Sequence, residues 1–133
     1  MTTRATGTFA VQLTPQPPAA AEEPTLGRLL IDKQFHGDLE GVSRGQMLAA
    51  QTDVEGSAGY VALERVTGTL HGRRGSFVLQ HSGTMARGAP GLVISVVPDS
   101  GTGELAGLSG HMSLVIDGEQ HAYDLEYTLN ALT

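Results

Sequence analysis

The sequence predicts an all-β protein whose strands close into an antiparallel eight-stranded β-barrel, with a β-sandwich as the alternative. Short apolar or alternating runs recur along the chain, and almost no helical period is present. Glycine supplies 18 of the 133 residues, about twice its usual share of ~7%, and it has no regular period, which indicates many turns. Eight long strands would leave exposed sheet edges, and closure into a barrel removes them. The length suits one hydrophobic core, so we expect residues 1–133 to form a single domain.

The strands follow from these runs and from the turn signals between them. Asp117 and Gly118 stand between two alternating runs, which is the pattern of a tight type I′ hairpin. Residues 53–59, 70–75 and 98–104 are rich in turn formers and predict three further hairpins in a meander. The predicted strands cover residues 5–14, 26–36, 40–52, 58–70, 73–86, 90–98, 104–116 and 119–130.

One segment departs from this pattern. Residues 15–24 (PQPPAAAEEP) hold four of the six prolines of the chain. Proline cannot donate a hydrogen bond to a central strand, so we expect an exposed Pro-rich loop that is the most mobile part of the protein.

Charge and composition exclude several classes of partner and site. The formal charge of -6 disfavours nucleic acid, because phosphate binding needs a basic face. The chain has no cysteine, so it has no disulfide, no thiolate nucleophile and no Cys-ligated metal. We find no apolar segment of the length of a secretory signal or a membrane span, and we therefore expect a cytoplasmic protein without a membrane partner.

The five histidines raise the question of a metal site. Residues 36–40 (HGDLE) would place His36, Asp38 and Glu40 on one face if the segment is extended. Strand ends also collect such residues for solubility, and the chain has no H-x-H pair. We predict no metal and no other cofactor.

Two further motifs have the wrong context for catalysis. The glycine-rich stretches at 72–75 and 101–107 do not match the spacing of a phosphate-binding loop, and we interpret them as turns with Arg73 and Arg74 in solvent. Residues 107–111 (GLSGH) lack the last glycine of a nucleophile elbow. The hydrolase class is excluded.

Alternation assigns inward faces to two strands. On the fifth strand, Phe77, Leu79 and His81 share the more apolar face. On the last strand the inward set is His121, Tyr123, Leu125, Tyr127 and Leu129. Two hypotheses follow: the polar atoms of His81, Tyr123 and Tyr127 satisfy one another in a filled core, or they line a ligand pocket.

The fourth strand, 58–70, allows either face to point inward. If Glu64 is inside, desolvation should raise its pKa unless partners compensate, which makes it a candidate acid or base. If Arg65 is inside, it would donate hydrogen bonds to an anionic ligand group. Either choice buries a charge.

Four separated segments carry a family resemblance. Residues 35–41, 60–83, 96–110 and 121–129 together resemble a bacterial family catalogued as domain of unknown function 3224. The resemblance implies an eight-stranded barrel similar to allene oxide cyclase and, more distantly, to the dirigent proteins of plants. It implies little about chemistry, and no motif matches the catalytic residues of allene oxide cyclase.

The first functional hypothesis is a module that binds a small, largely apolar molecule in the barrel interior, by analogy with lipocalin-like barrels. Its candidate ligand-binding residues are Phe77, Leu79, Tyr123, Tyr127 and Arg65. If the interior is filled, a structural or interaction role through the outer wall replaces this hypothesis.

The second functional hypothesis is a cofactor-independent cyclase or isomerase. Glu64 or His81 would move a proton, while Tyr123 and Tyr127 would shape the substrate. This hypothesis requires Glu64 and His81 to lie within reach of one cavity.

Self-association is the last expectation. Residues 91–97 (GLVISVV) are apolar on both faces, which is more hydrophobic surface than one interior needs. We predict a homodimer or homotrimer.

Overall fold

The computed structural model describes residues 2–17 and 26–130, and the fold is the predicted closed antiparallel barrel of eight strands. Each strand pairs with the next, and the last strand pairs with the first, which excludes the sandwich alternative. The strands are β1 (Thr3–Pro15), β2 (Leu26–Gly37), β3 (Leu39–Gln51), β4 (Ala58–Leu70), β5 (Arg73–Ala86), β6 (Ala89–Val96), β7 (Leu108–Asp117) and β8 (Gln120–Leu129).

The largest error of the sequence prediction concerns the start of the seventh strand. Residues 97–107 do not form a tight hairpin but a longer connection that contains a short 3-10 helix, Gly103–Leu105. Leu105 is buried in the core cluster, and its burial draws this segment onto the barrel. Within residues 2–17 and 26–130 this is the only helix, and its three residues are far too few to cross a membrane.

The connections divide the barrel into two ends. The connections β2–β3, β4–β5 and β6–β7 lie at one end, which we call the closed end. The connections β1–β2, β3–β4, β5–β6 and β7–β8 lie at the other, the open end. Of the predicted Pro-rich loop of residues 15–24, Pro15 still belongs to β1, and residues 18–25 lie outside the described residues.

The hydrophobic core occupies the half of the barrel toward the closed end. The 97–107 connection covers this end, and its backbone and hydroxyl groups bind β5: Thr102 N–H donates to Ser76 O at 2.8 Å. The inward side chains here are almost completely removed from solvent. They include Ala5, Leu39, Val66, Leu70, Phe77, Leu79, Val96, Leu105, Leu108, Tyr123, Leu125 and Tyr127.

The wall is incomplete between β6 and β7. These strands pair only at Ile94–Met112 and Ser95–His111, so toward the open end they run without ladder hydrogen bonds. Val93 and Ile116, which border this seam, are both more than half exposed. The open end is therefore less covered and less tightly paired than the closed end.

Candidate functional site

Four polar side chains form a buried network near the middle of the barrel. Its centre is Glu64, which is 1% exposed. Ser43 Oγ donates to Glu64 Oε1 at 2.8 Å, and Lys33 Nζ donates to Oε2 at 2.8 Å. His81 Nε2 lies 2.6 Å from the same Oε2. All four side chains are buried, so this network is a fixed part of the interior.

Strand register explains how these residues meet. They come from four neighbouring strands, β2 to β5, and each occupies an inward position. Ser43 lies directly opposite Lys33, whereas Glu64 and His81 are each displaced by two residues from the direct partner on the preceding strand. Diagonal neighbours of this kind are within reach of long side chains, so the network runs obliquely across the inner wall.

The charge of Glu64 is stabilised within the network. Burial alone would raise the pKa of Glu64, but the hydrogen bond from His81 and the charge of Lys33 outweigh burial and lower the pKa from 4.5 to about 2. The sequence-based expectation allowed for partners that compensate the desolvation, and Lys33 and His81 supply them as a cation and a donor. The Lys33 ammonium also lies over the rings of Phe9 and Phe35, at 5.1 and 5.8 Å from their centroids.

The ionised carboxylate also fixes the proton of His81. A carboxylate can only accept, so His81 Nε2 carries the hydrogen in this contact. Because Lys33 already balances the charge of Glu64, a neutral imidazole leaves the network with no net charge. The Nδ1 atom then presents a free lone pair, and no described group hydrogen-bonds to it.

A cavity of about 710 Å³ occupies the open end of the barrel. Side chains from the inward faces of five strands line it, and they are mainly apolar. Among them are Met47, Ala49, Tyr60, Met85, Leu92 and Ile116, together with the backbone of Gly83. A separate concavity of about 440 Å³ follows the outer faces of β1, β2 and β3 beside polar side chains such as Gln12 and Gln34.

Tyr60 stands between this cavity and the buried network. Its ring lines the cavity and lies 6.4 Å, centroid to centroid, from the ring of His81. Gly83 makes room for it, since a Cβ atom at that position would lie 2.4 Å from the Tyr60 ring. Burial and the charge of Glu64 raise the pKa of Tyr60, so its hydroxyl stays protonated. No described group bonds to that hydroxyl.

The predicted ligand-binding residues of β5 and β8 point inward but not into this cavity. Phe77, Leu79, Tyr123 and Tyr127 belong to the filled half of the barrel. Tyr123 Oη accepts from Leu39 N–H at 2.9 Å and lies within hydrogen-bonding distance of the carbonyls of His36 and Leu39.

The hydroxyl of Tyr127 has a partner of its own at the closed end. It contacts Nδ1 of His71, a turn residue with a positive φ of 47°. The hypothesis that His81, Tyr123 and Tyr127 satisfy one another is therefore wrong, since each has a different partner.

Two further sequence-based expectations are corrected. Arg65 lies on the outer face of β4, where it is exposed, because alternation places Glu64 inside; it cannot donate to a ligand in the barrel. Residues 36–40 are not extended, because Gly37 has a φ of 113° and Asp38 forms the bend between β2 and β3.

The carboxylates of that bend accept hydrogen bonds from backbone N–H groups. Asp38 Oδ2 accepts from Thr6 N–H at 2.9 Å, and Glu40 Oε1 accepts from Gly37 N–H at 2.7 Å. Among the described residues, no cluster of three metal-ligating side chains is present.

Sequence reasoning missed Lys33 and Ser43, although a signal for Lys33 exists. On β2 the residues at odd positions share one face of the strand. Lys33 is on this face with the apolar residues Leu29, Ile31 and Phe35, whereas the polar residues Asp32 and Gln34 are on the other. That alternation places Lys33 inside. No comparable signal marks Ser43, because the nearest residues on its own face of the strand, Gly41 and Gly45, have no side chain to indicate which face is apolar.

Comparison with known proteins agrees with the fold. No curated protein matches the chain. A solved structure from Shewanella oneidensis MR-1, described as a protein with unknown function from the DUF3224 family, is 48% identical. The alignment covers 99% of this chain and 100% of that chain, with a TM-score of 0.93. The family model described as "protein of unknown function (DUF3224)" matches residues 5–127, and the chain therefore belongs to this family.

Proposed function

We propose that this protein binds a small, largely apolar molecule in the open end of its barrel. The observation that carries the proposal is the cavity of about 710 Å³, whose size lies within the range of small-molecule sites. Its walls are mainly apolar, with a few polar side chains, Tyr60 toward the buried network and Thr52, Glu55 and Ser57 in the β3–β4 connection, which is the usual composition of such sites.

The contrast with the other half of the barrel supports this proposal. At the closed end, Leu70, Phe77 and Leu105 fill the interior and are fully buried. At the open end, inward residues such as Met85 and Leu92 keep more than 40% of their surface exposed. Apolar side chains that face a void gain from a ligand that removes them from water.

A fluorescent apolar probe tests this proposal directly. We expect N-phenyl-1-naphthylamine to bind saturably with one site per chain and with increased emission. Ala49→Phe fills the cavity from β3 and should weaken binding at least about tenfold, which corresponds to ~1.4 kcal/mol. The matched control is Leu48→Phe, which adds a ring on the outer face of the same strand.

Two results would contradict the proposal. One is the absence of saturable probe binding by a folded wild-type protein. The other is equal affinity in the Ala49→Phe and Leu48→Phe variants. Native mass spectrometry of protein purified from its own source then identifies the molecule that co-purifies.

A second candidate function is cofactor-independent proton transfer, as in an isomerase. The Glu64–His81 pair favours it, because a buried carboxylate that orients an imidazole leaves the other ring nitrogen available as a base. With a pKa of about 2, Glu64 stays ionised and acts as a positioning residue. The base would be His81, one layer of side chains below Tyr60.

The corresponding step conserves atoms and electrons. A C–H bond next to a ketone breaks, its proton moves to His81 Nδ1, and the electron pair moves to the carbonyl oxygen. Return of a proton to carbon completes the exchange. In D₂O, 2-tetralone should exchange these hydrogens faster with the protein than without it, as measured by proton NMR.

His81→Gln should remove this acceleration, and the outward-facing control His111→Gln should keep it. No acceleration by wild-type protein that binds 2-tetralone would exclude this candidate and leave the binding function intact.

Self-association and a cytoplasmic location stay predictions. The outer wall supports a homodimer or homotrimer, because the outward residues of β5 from Ser76 to Ala86 and of β6 from Ala89 to Ser95 carry no charge. Leu63 and Val93 on this wall are more than half exposed. Light scattering should show a dimer or trimer that Val93→Glu dissociates, and a wild-type monomer at micromolar concentration would contradict the prediction.

A further inference from the structure

We infer that the open-end cavity selects molecules that carry one uncharged hydroxyl, an alcohol or a phenol, and that Tyr60 and His81 bind this group. The inference rests on the proposed binding function and adds the chemical class of the ligand. It starts from two polar atoms that have no partner among the described residues, Tyr60 Oη and His81 Nδ1, on rings whose centroids are 6.4 Å apart.

His81 supplies the acceptor. Its side chain is 5% exposed, and its Nε2–H is committed to the Glu64 carboxylate. The other members of the network, Lys33 and Ser43, both donate to the same carboxylate. The imidazole keeps the lone pair of Nδ1, to which no described group donates. No fully buried side-chain nitrogen or oxygen of the described residues lacks a hydrogen-bond partner, so Nδ1 retains some access to solvent, where a ligand donor can take the place of water.

Tyr60 supplies the donor. Its hydroxyl remains protonated because burial and the charge of Glu64 raise its pKa, and its ring forms part of the cavity wall. The ring of His81 lies one layer deeper, at a centroid distance of 6.4 Å and an interplanar angle of 43°. His81 does not itself line the cavity, so a small polar group that binds both residues enters past the Tyr60 ring toward the network.

A hydroxyl matches this pair better than other polar groups do. It donates its hydrogen to His81 Nδ1 and accepts a hydrogen from Tyr60. A carbonyl or an ether can only accept, so it leaves the imidazole lone pair unpaired. A carboxylate adds a negative charge close to Glu64, and an ammonium adds a positive charge close to Lys33.

The test compares three naphthalenes of similar size. They are 1-naphthol, which donates, 1-methoxynaphthalene, which only accepts, and 1-naphthoate, which is charged. Near neutral pH we expect wild-type protein to bind the naphthol about 5- to 10-fold more tightly than the methoxy compound, the gain of one net hydrogen bond, which is the one donated to His81. The naphthoate should bind most weakly. Calorimetric titration or naphthalene fluorescence measures the dissociation constants.

Variants assign separate roles to the two residues. His81→Leu should reduce the preference for naphthol to about twofold or less, with the affinity for 1-methoxynaphthalene little changed. Tyr60→Phe should weaken the binding of both compounds, because the naphthol and the ether can each accept from its hydroxyl. Tyr60→Phe removes only a hydroxyl without a described partner, so it should fold even if His81→Leu disturbs the network. The matched control is Tyr127→Phe, in the filled half of the barrel, which should keep the full preference.

The outcomes separate the two proposals. If none of the three compounds binds to folded protein, the proposed binding function fails. If all three bind with equal affinity, or if naphthoate binds most tightly, the binding function stands and the hydroxyl selection is wrong. The selection is also wrong if His81→Leu keeps the full preference for naphthol, or if Tyr127→Phe weakens naphthol binding as much as Tyr60→Phe does.

Discussion

The two halves of the barrel follow the same alternation along their strands but differ in what fills them. At the closed end the 97–107 connection folds over the interior, and Leu105 packs against the core cluster. At the open end the β3–β4 connection, residues 52–57, lines the cavity without filling it, and residues 18–25 lie outside the described residues. The comparison teaches that, among the described residues, a connection rather than a strand decides which half of the barrel is filled.

The Lys33–Glu64–His81 network separates the two halves. On the side of the closed end, Phe35 and Leu79 are fully buried. On the side of the open end, Tyr60 and Gly83 already line the cavity. The hydrogen bonds of this network hold its side chains in fixed positions, and they leave His81 Nδ1 without a partner among the described residues. A rigid base of this kind suits the proposed binding site.

The largest expected effect is a difference in the free energy of unfolding between two truncations on β5. Phe77→Ala should lower the free energy of unfolding by about 3–5 kcal/mol, because it opens a void in a close-packed region. Met85→Ala, on the same inward face at the open end, should cost less than about 1 kcal/mol, since Met85 is 44% exposed. Urea denaturation followed by circular dichroism measures both. Equal losses would show that the open end is packed as tightly as the closed end.

Acid should reduce the contribution of the Lys33–Glu64–His81 network to the free energy of unfolding. The pKa of Glu64 is about 2 in the folded protein and near 4.5 when unperturbed, so the unfolded chain binds the extra proton first as the pH falls. This contribution to stability is complete above about pH 4.5 and is lost as the pH falls toward 2. Between pH 5 and pH 3, wild-type protein should lose about 2 kcal/mol more than Glu64→Gln does.

The acid prediction has a control on the outer wall. Glu126→Gln removes an exposed carboxylate of β8 and should keep the pH dependence of wild-type protein. Parallel losses in wild-type protein and Glu64→Gln would mean that the network does not hold the charge of Glu64 in the folded state.

Much of this arrangement could be predicted from the sequence, because it depends on residues that are close together along the chain. Alternation along β5 placed Phe77, Leu79 and His81 inside, and alternation along β8 placed Tyr123 and Tyr127 inside. The hairpin between β7 and β8 was also found, because a tight turn depends on two residues. The predicted type I′ turn centred on Asp117 and Gly118 was wrong, since Asp117 pairs with Gln120 and only Gly118 of the turn has a positive φ. These features need only the parity of a strand or the chemistry of one turn.

The partners of the buried residues could not be predicted, because they depend on register across several strands. Lys33 and Glu64 are 31 residues apart, and they meet only through the diagonal offset between β2, β3 and β4. The division into filled and open halves was equally inaccessible. Residues 98–104 resemble a tight turn, and only the burial of Leu105 reveals a connection that covers the barrel.

The smallest expected effect contrasts two tyrosine hydroxyls, one in each half. Tyr123→Phe should lower the free energy of unfolding by about 1–3 kcal/mol, because Leu39 N–H loses its acceptor in a buried site. Gly7 leaves space for the Tyr123 hydroxyl, since a Cβ atom at residue 7 would lie 2.5 Å from Tyr123 Oη. Tyr60→Phe should change stability by less than about 0.5 kcal/mol, because no described group bonds to its hydroxyl. A loss at Tyr60 as large as that at Tyr123 would mean that the Tyr60 hydroxyl is a structural group, and it would remove the donor on which ligand selection at the open end depends.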